Sequence, residues 1–421
     1  MREYLTFDDV AIAPGLATVE PSEVDLTSKA SRRVEIYLPF LSSPMDTVTE
    51  WRMAVALARM GALGVIHRNM SAESQALQVR MIKSASPSPW MEVMKAKEDE
   101  PLDSLMFRME EAGVGAAIVF SNPPVIVVSS GGAQDFWFSK ASAFLSLLRE
   151  YKPLPLLDEE GRLRVGAAIS PFDERRAKLL DEAGADVLVV DVAHAHNVNV
   201  LSSVAKLAKE VRADIVVGNL GSRVGVLDVL AKVDNVGGLR VGIGSGSICS
   251  TAEVTGAFAP TLTAVMEARR ALEELGAHGK VPIIADGGMR NAGDIAKAIV
   301  AGASAVMLGR IFAAAEESPG VKIRIGEKLY KQYRGMASRG AMERRFAEDR
   351  YSKPSKAIEE GVEGLVPYRG SVIAILAELT SGLKAALGYA GAQKVTEGWK
   401  GELVRVTAAG REEQRPHDIV L

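Results

Sequence analysis

The stretch DVLVVDVAH, residues 186–194, holds four consecutive apolar side chains and then an aspartate, Asp191. A strand that is buried on both faces has a continuous run of Val, Ile and Leu, which is what a parallel sheet requires. The stretch therefore predicts a buried parallel strand whose C-terminal end carries Asp191.

Seven further apolar runs recur along the chain, and stretches with helical periodicity follow them. Eight strand–helix units in succession favour an α/β fold of the (β/α)8 TIM-barrel type over a doubly wound sheet. The seven runs are LPFLSSP near Leu41, ALGVIH near Val65, RVGAAIS near Ala167, DIVVGNL near Val216, GLRVGIGSG near Val241, VPIIADGG near Ile284 and AVMLGR near Met307.

Two of the intervening stretches illustrate the predicted helices. The first, DERRAKLLDEAGA, is expected to stop at Gly184, because glycine is common just after a helix end. The second, PTLTAVMEARRALEELGAH, is expected to bury one face made of Leu262, Val265, Met266, Leu272 and Leu275.

A polar residue or a glycine-rich loop follows seven of the apolar runs. In a barrel of this type, chemistry collects at the C-terminal ends of the strands, so these positions are expected to share one site. Gly, Ser and Asn are also ordinary loop residues, which is the alternative explanation. The positions are Ser43, His67, Asp191, Asn219, residues 242–251, Asp286 and Gly309.

The strand–helix rhythm breaks between the second and third runs. A segment with proline-rich ends, from ASPSPW to YKPLPLL, is predicted to be an inserted α+β module. We therefore expect a first part of the barrel at residues 1–83, the module at 84–152, and the second part of the barrel at 153–421. The second part includes a long polar flap and a C-terminal tail.

Composition excludes several classes of protein. The chain has 421 residues, a net charge of −3 and a single cysteine, which argues against a nucleic-acid binder and excludes an intrachain disulfide. We find no signal peptide and no apolar run judged long enough to span a membrane, so a cytoplasmic protein without membrane association is expected. Asn and Gln are scarce, which fits either a thermophile or compositional drift.

The single cysteine, Cys249, lies in the loop LRVGIGSGSICSTAEV rather than in an apolar run. Glycines let a backbone approach a ligand closely, and the thiolate is the nucleophilic form of cysteine. The loop favours a reactive thiol over an inert structural one. No histidine adjoins Cys249 in sequence, so activation by an imidazole is not indicated.

Several motifs carry a resemblance. LTFDDVAIAPG, SSPMDTVTE, LRVGIGSGSIC, IIADGG, YRGM, DRY and EGVEGLVPYRG occur in this order over nearly the whole chain outside the insertion. Together they resemble the family of inosine-5′-monophosphate (IMP) dehydrogenase and GMP reductase. The insertion resembles one half of a cystathionine-β-synthase-type (CBS) pair.

The resemblance implies a barrel enzyme, usually a homotetramer, with a cysteine nucleophile. In the dehydrogenase, the thiolate adds to C2 of IMP, a hydride passes to NAD⁺, and water hydrolyses the covalent thioimidate to xanthosine monophosphate (XMP). We find neither a Walker A pattern nor a strand-linked GxGxxG, so NAD binding rests on the resemblance alone.

The resemblance also implies which residues are catalytic. Cys249 matches the nucleophile, and Thr251 matches the threonine that helps to bind the attacking water. Arg350 and Tyr351 match the pair that activates this water. Read without the resemblance, Thr251 is equally well explained as a turn former.

Further positions are implied to bind substrate, cofactor and a potassium ion. Those for IMP are Ser43, Met45, Ser247, Asp286, Gly287, Gly288, Gly309, Arg310, Tyr333, Gly335, Met336, Ala337 and Glu360. Those for NAD are Asp191, Asn219, Arg240, Gly242, Ile243 and Gly244. Those for potassium are the carbonyls of Gly244, Gly246 and Cys249, together with Glu413 of the partner subunit.

Within the IMP set, the backbone NH groups of Ser247, Gly288 and Gly309 are expected to hold the phosphate, with Tyr333 closing over it. Asp286 is expected to accept the ribose hydroxyls, or else to cap the next turn. Arg310 stands where the family commonly has serine, and either grips the phosphate or turns outward.

The sequence departs from the family at two further places and also contains a closely spaced pair of histidines. Ala337 replaces a usual glycine, and Val192 and Ala193 replace hydroxyl residues that are usual in the dehydrogenase. His194 and His196 suggest a metal site, but their spacing without a carboxylate or cysteine cluster is weak evidence for zinc.

Three functions are compatible with these sequence features. The pair Arg350–Tyr351 and the motifs YRGM and ADGG favour IMP dehydrogenase. The sequence DVA at Asp191, the sequence TG at Thr255 and a shorter flap favour GMP reductase, which converts GMP and NADPH to IMP and ammonia. A nucleotide-sensing regulatory protein is the third alternative, although the intact catalytic motifs speak against it.

Overall fold

The eight predicted strands are present and form one parallel sheet. The structure, a computed structural model, describes residues 2–87, 93–97, 99–101, 104–105, 107–108, 116–120, 125–128, 154–343 and 359–414. The barrel strands are β1 (Phe40–Ser42), β2 (Val65–Ile66), β3 (Gly166–Ile169), β4 (Val187–Val190), β5 (Asp214–Leu220), β6 (Gly238–Val241), β7 (Ile283–Asp286) and β8 (Ala305–Leu308).

Strand order in this sheet follows chain order, as in a (β/α)8 barrel. Strand β8 pairs in parallel with β1, so the last strand returns to the first. On the other side of β1, a parallel bridge joins Leu41 to Leu63, just before β2. The backbone N–H groups of Leu63 and Ser42 each donate across this seam at 3.1 Å, which closes the barrel.

A helix follows each barrel strand and packs on the outside. Most of these helices begin where a Ser, Asn or Asp side chain accepts a backbone N–H, as Ser222 does from Gly225. The eight outer helices are Trp51–Arg59, Ala72–Ser84, Glu174–Glu182, Val198–Leu207, Arg223–Lys232, Thr261–Glu274, Ala292–Ala301 and Val372–Tyr389.

The prediction for DERRAKLLDEAGA is confirmed. Its helix ends at Glu182, and Gly184 then takes a positive φ of 96°. The prediction for the face of Thr261–Glu274 is wrong at one position. Leu262, Val265 and Leu272 are buried, but Leu275 lies beyond the helix end and is 54% exposed. Periodicity alone did not show that the helix stops at Glu274.

The prediction that no apolar run is long enough to span a membrane is wrong for one helix. Helix Val372–Tyr389 is long and apolar enough to cross a membrane by length and composition. In the structure it packs against Ala292–Ala301 and buries Leu376, Leu379 and Leu383. It is therefore an outer helix of the barrel in this structure.

The barrel interior is filled by side chains and is not a channel. Leu41, Val65, Val189, Ile284 and Met307 are all less than 1% exposed and form one cluster inside the sheet. In a barrel filled in this way, a site is expected at the C-terminal rim of the strands.

A three-stranded antiparallel sheet stands beside that rim. We call it the arm, and it consists of Lys322–Ile325, Lys328–Arg334 and Glu363–Pro367. The middle strand leads from Tyr333 and Arg334 directly into Gly335, Met336 and Ala337. The arm therefore carries several of the predicted substrate positions.

Smaller elements complete the described chain. Two strand pairs, Val10–Ile12 with Leu403–Arg405 and Ser28–Lys29 with Glu35–Ile36, lie outside the barrel sheet. The short helices are Phe7–Asp9, Pro21–Glu23, Thr251–Thr255, Arg310–Ala313, Arg339–Glu343, Val395–Gly398 and Ala408–Glu413.

The two ends of the inserted segment are both hydrogen-bonded to the C-terminal end of helix Trp51–Arg59. On the outgoing side, the guanidinium Nε of Arg59 donates to the carbonyl of Ser86 at 3.0 Å. On the returning side, the N–H of Leu156 donates to the carbonyl of Ala58 at 2.7 Å. Between these points, strands Val93–Lys97, Ala116–Phe120 and Val125–Val128 form a separate small sheet.

Candidate active site

A cavity of about 330 Å³ opens at the C-terminal rim of the barrel. One wall is the loop after β1, and another is the loop of residues 242–251 that carries Cys249. The ends of β7 and β8 form its floor, and the arm forms the remaining wall. Positions far apart in the sequence therefore meet around one cavity.

Glycine at the start of the cysteine loop is required by space and by conformation. Gly242 has a φ of 118°, and a Cβ there would lie 2.6 Å from both the Asp286 carbonyl oxygen and Thr261 Oγ1. Gly244 also has a positive φ, of 78°. These two glycines let the loop turn sharply over the end of β7.

Cys249 heads a short chain of hydrogen bonds. Its Sγ lies 3.2 Å from Thr251 Oγ1, to which it donates, and that hydroxyl lies 3.1 Å from Glu360 Oε2, to which it donates. Cys249 is exposed to the cavity, whereas Glu360 is buried. The thiol proton thus has a hydrogen-bonded route to a carboxylate.

Backbone bonds hold the cysteine loop against the arm side. Ser250 N–H donates to the carbonyl of Glu360 at 3.1 Å, and Val362 N–H donates to the carbonyl of Ile248 at 3.0 Å. Cys249 and Gly361 form an antiparallel bridge. The position of the thiol relative to Glu360 is therefore set by main-chain contacts rather than by flexible side chains.

The opposite end of the cavity is narrow and rich in backbone groups. A Cβ built on Gly309 would lie 2.8 Å from Tyr333 Oη and 3.4 Å from Ser43 Oγ, so glycine is the residue that fits there. Burial raises the pKa of Tyr333 to about 12, which keeps its hydroxyl protonated as a donor at neutral pH.

A row of alternating charges begins at the cavity floor and continues into the protein behind it. Asp286 accepts hydrogen bonds from Asn219 Nδ2 at 2.8 Å and from Arg240 Nε at 2.9 Å. Arg240 also donates to Asp191 at 3.1 Å, and Arg68 lies 3.5 Å from the other oxygen of Asp191. The network fixes the Asp286 carboxylate, which is 15% exposed at the cavity surface.

A family model described as the IMP dehydrogenase / GMP reductase domain matches residues 4–417 of this chain. The chain belongs to this family.

Similar proteins in this family include three that are each named inosine-5′-monophosphate dehydrogenase. The protein of Korarchaeum cryptofilum is 41% identical, over 98% of this chain and 96% of its own length. That of Halobacterium salinarum is 39% identical, over 100% and 94%, and that of Thermoplasma acidophilum is 40% identical, over 100% and 96%. The Halobacterium alignment runs over 478 positions, so this relative carries several tens of residues without a counterpart in the 421 residues here.

The structure brings most of the predicted site positions of the family together. Arg350 and Tyr351 lie outside the described residues. Asp191 is buried behind Arg240 and does not line the cavity, and Glu413 lies on helix Ala408–Glu413 away from it. Those lining the cavity are Ser43, Met45, Asn219, Arg240, Gly242, Ile243, Gly244, Gly246, Ser247, Cys249, Thr251, Asp286, Gly287, Gly288, Gly309, Arg310, Tyr333, Gly335, Met336, Ala337 and Glu360.

Sequence reasoning missed the buried groups behind the cavity. Arg68 is 2% exposed and holds Asp191 from a position 123 residues away along the chain. Asp46 and Arg334 form another buried pair. The sequence feature that could have indicated these buried groups is a charged residue inside or directly beside a quoted motif, such as the aspartate of SSPMDTVTE.

The histidine pair does not form a metal site among the residues that the structure describes. His196 Nε2 lies 2.7 Å from Asp228 Oδ2, and the rings of His194 and His196 meet edge to face. No group of three or more His, Cys, Asp or Glu side chains suited to a metal occurs in the described part of the chain.

Proposed function

We propose that this protein is an IMP dehydrogenase, which oxidises IMP to XMP with NAD⁺ in guanine nucleotide synthesis. The observation that carries the proposal is the hydrogen-bonded series from Cys249 through Thr251 to Glu360, open to a cavity with a donor-rich end. The names of the relatives at about 40% identity over the whole chain support the same function.

The two ends of the cavity suit different parts of the IMP molecule. The phosphate of IMP lies at the narrow end, where the backbone N–H groups of Ser247, Gly288 and Gly309 and the hydroxyl of Tyr333 donate to it. Asp286 accepts the ribose hydroxyls. Met336 and Ala337 of the arm contact the base, and Glu360 reads its edge. This pose places C2 of the purine beside Cys249.

The chemical steps then use this chain's own groups. Cys249 Sγ forms a bond to C2 as its proton passes through Thr251 to Glu360, and the electron pair of the C2–N3 double bond moves onto N3. C2 then loses its hydride while the C2–N3 double bond re-forms, which leaves a thioimidate on Cys249. Water then adds to C2, the C–S bond breaks, and the thiolate takes up a proton as XMP leaves. Thr251 orients the water, and Arg350 with Tyr351 activates it.

NAD⁺ supplies the hydride acceptor when it is bound. The residues that would hold its nicotinamide end are Asn219, Arg240, Gly242, Ile243 and Gly244, all of which line the cavity on the side of Cys249. The neighbouring Val192 and Ala193 add an apolar surface that suits a flat ring. Asp191 acts through Arg240, to which it is hydrogen-bonded at 3.1 Å.

A potassium ion would bind the carbonyls of Gly244, Gly246 and Cys249, with Glu413 of the partner subunit in a homotetramer. Carbonyl oxygens suit a hard cation. The Gly246 carbonyl already accepts the Cys249 N–H at 3.0 Å, which leaves its second lone pair for an ion. Stabilisation by KCl but not by LiCl at equal ionic strength, measured as melting temperature, is the expected result.

We infer that residues 84–152 form a module resembling half of a CBS pair, and that the enzyme is cytoplasmic. A thermophilic source fits the scarcity of Asn and Gln. Light scattering should give the mass of a tetramer. ATP and GTP should have little regulatory effect, because half a CBS pair lacks a complete cleft.

The test is an absorbance assay of the pure protein with IMP and NAD⁺, run beside GMP and NADPH. NADH formation with the first pair is expected. Consumption of NADPH with the second pair, and no signal with the first, would assign the reductase instead. Nucleotide binding to the protein without turnover of either pair would favour a sensor.

A further inference from the structure

Asp46, Arg334 and Asn69 form a buried polar cluster beside the cavity. Arg334 Nε and Nη2 donate to the two carboxylate oxygens of Asp46 at 2.9 and 2.5 Å. Asn69 Nδ2 donates to the same carboxylate at 2.8 Å. The side chains of Asp46 and Arg334 are 1% and 9% exposed, so water scarcely screens this pair.

These three residues come from three separate parts of the fold. Asp46 follows Ser43 and Met45 in the loop after β1, and Asn69 lies in the loop after β2. Arg334 ends the middle strand of the arm. The cluster thus joins two barrel loops to the arm.

Main-chain groups strengthen the same connection. Asp46 N–H donates to Met336 Sδ at 3.4 Å, and Arg334 N–H donates to Thr47 Oγ1 at 3.2 Å. Asn69 Nδ2 also lies 3.3 Å from the carbonyl of Ala341, in the short helix Arg339–Glu343. The contacts bracket residues 335–337, which form the arm side of the cavity.

The ionisation of Asp46 agrees with this role. Burial acts to raise the pKa of Asp46, but hydrogen bonds from Arg334 and Asn69 outweigh it and lower the pKa below its usual value. Removing one charge of such a pair leaves the other buried without compensation, which is costly. The arm is therefore expected to move when Asp46 is neutralised.

We propose that Asp46, Arg334 and Asn69 are positioning residues that set the distance between the arm wall and the cavity wall formed by the loop after β1, and so the affinity for the purine nucleotide. The inference rests on the proposed function for the identity of the nucleotide. None of the three lines the cavity, so they act through Met45, Met336 and Ala337. They hold the pocket at the width of a purine before the ligand arrives, which reduces the ordering cost of binding.

The experiment compares three cluster variants, Asp46→Asn, Asn69→Ala and Arg334→Lys, with a matched control. Asp46→Asn keeps the shape of the side chain and removes its charge, and Asn69→Ala removes a neutral partner without leaving an unpaired charge. Asp158→Asn is the control, because Asp158 bonds to Lys83 at 2.9 Å, and these two side chains are each 5% exposed and outside the cavity. Each full-length protein is assayed for melting temperature, for IMP affinity by calorimetry, and for kcat and KM.

Asp46→Asn should weaken IMP binding and raise KM about ten-fold, with a smaller change in kcat. Asn69→Ala should act in the same direction by about three-fold. Arg334→Lys should bind IMP better than Asp46→Asn, because it keeps a charge opposite Asp46. The control should lower the melting temperature with no change in IMP affinity.

The inference is overturned if Asp46→Asn lowers the melting temperature as the control does but leaves IMP affinity within two-fold. If Asp46→Asn does not fold, unchanged IMP affinity in Asn69→Ala overturns it instead. A wild type that uses GMP and NADPH changes the proposed function alone, and the same shifts are then expected in GMP affinity.

Discussion

Replacing Arg310 with serine should selectively weaken binding of the substrate phosphate. Arg310 lines the narrow end of the cavity, next to Gly309 and near Tyr333. The other two arginines that line the cavity already form ion pairs. Arg240 pairs with Asp191 and Asp286, and Arg290 pairs with Asp8 and Asp294. Within the part of the chain that the structure describes, Arg310 has no hydrogen bond or ion pair.

The size of the effect follows from the exposure of Arg310. A hydrogen bond to a charged group contributes about 1.5–3 kcal/mol when it is shielded. Arg310 is exposed, so a smaller contribution of about 1–2 kcal/mol is appropriate, which is roughly a five- to thirty-fold rise in the Kd for IMP. Inosine lacks the phosphate, and its affinity should not change.

Calorimetry with IMP and with inosine, at two salt concentrations, measures this difference. Arg310→Lys serves as the control, because it keeps the charge without the planar fork, and it should lose less affinity than Arg310→Ser. Equal losses for IMP and inosine would show that the substitution distorts the pocket. A Kd for IMP within two-fold of the wild type would show that the guanidinium does not contact the phosphate.

Four further outcomes are expected. Cys249→Ser should reduce kcat at least about 10³-fold and leave the Kd for IMP nearly unchanged, because a serine hydroxyl is a far weaker nucleophile; a kcat that stays close to the wild-type value would contradict the assignment. Arg350→Ala should give a rapid burst of about one NADH per active site followed by very slow turnover, with purine trapped on Cys249 after acid quenching; unchanged turnover would remove Arg350 from the mechanism. Replacing residues 88–153 with a short Gly/Ser bridge should preserve most of kcat, and a loss above ten-fold would show that the module supports the site. Burial opposes ionisation of Asp158, but hydrogen bonds from Lys83 and a neighbouring arginine outweigh it and lower its pKa to about 2. This stabilisation is present above the unfolded pKa of about 4 and is lost as the pH falls through about 2. The free energy of unfolding should therefore fall more steeply between these values than it does in Asp158→Asn, and equal slopes would refute the argument.

The barrel was predictable because its strands are buried on both faces. Runs such as VLVV at residues 187–190 leave a strong local signal, and the polar residues after them mark the rim. The cysteine loop was predictable for a related reason. A sharp turn against neighbouring backbone needs glycine, and Gly242 and Gly244 are visible in the sequence.

The ion pairs behind the site were not predictable, because no local pattern connects their partners. Asp46 and Arg334 are 288 residues apart, and each looks like an ordinary polar residue in its own segment. The same limit applies to the membrane prediction. Composition gives helix Val372–Tyr389 the character of a spanning segment, and only its packing against Ala292–Ala301 shows where its apolar face goes.

The junction on helix Trp51–Arg59 has a consequence for how this protein can change in length. Both ends of the inserted segment are hydrogen-bonded to adjacent residues, Ala58 and Arg59. The segment is therefore a loop whose two ends are held close together on the barrel. The entropy of closing a loop grows only with the logarithm of its length. Residues can therefore be gained or lost between Ser86 and Leu156 with little effect on the free energy of unfolding of the barrel. Changes in the sequence or length of this segment are expected to leave the geometry of the C-terminal rim unchanged.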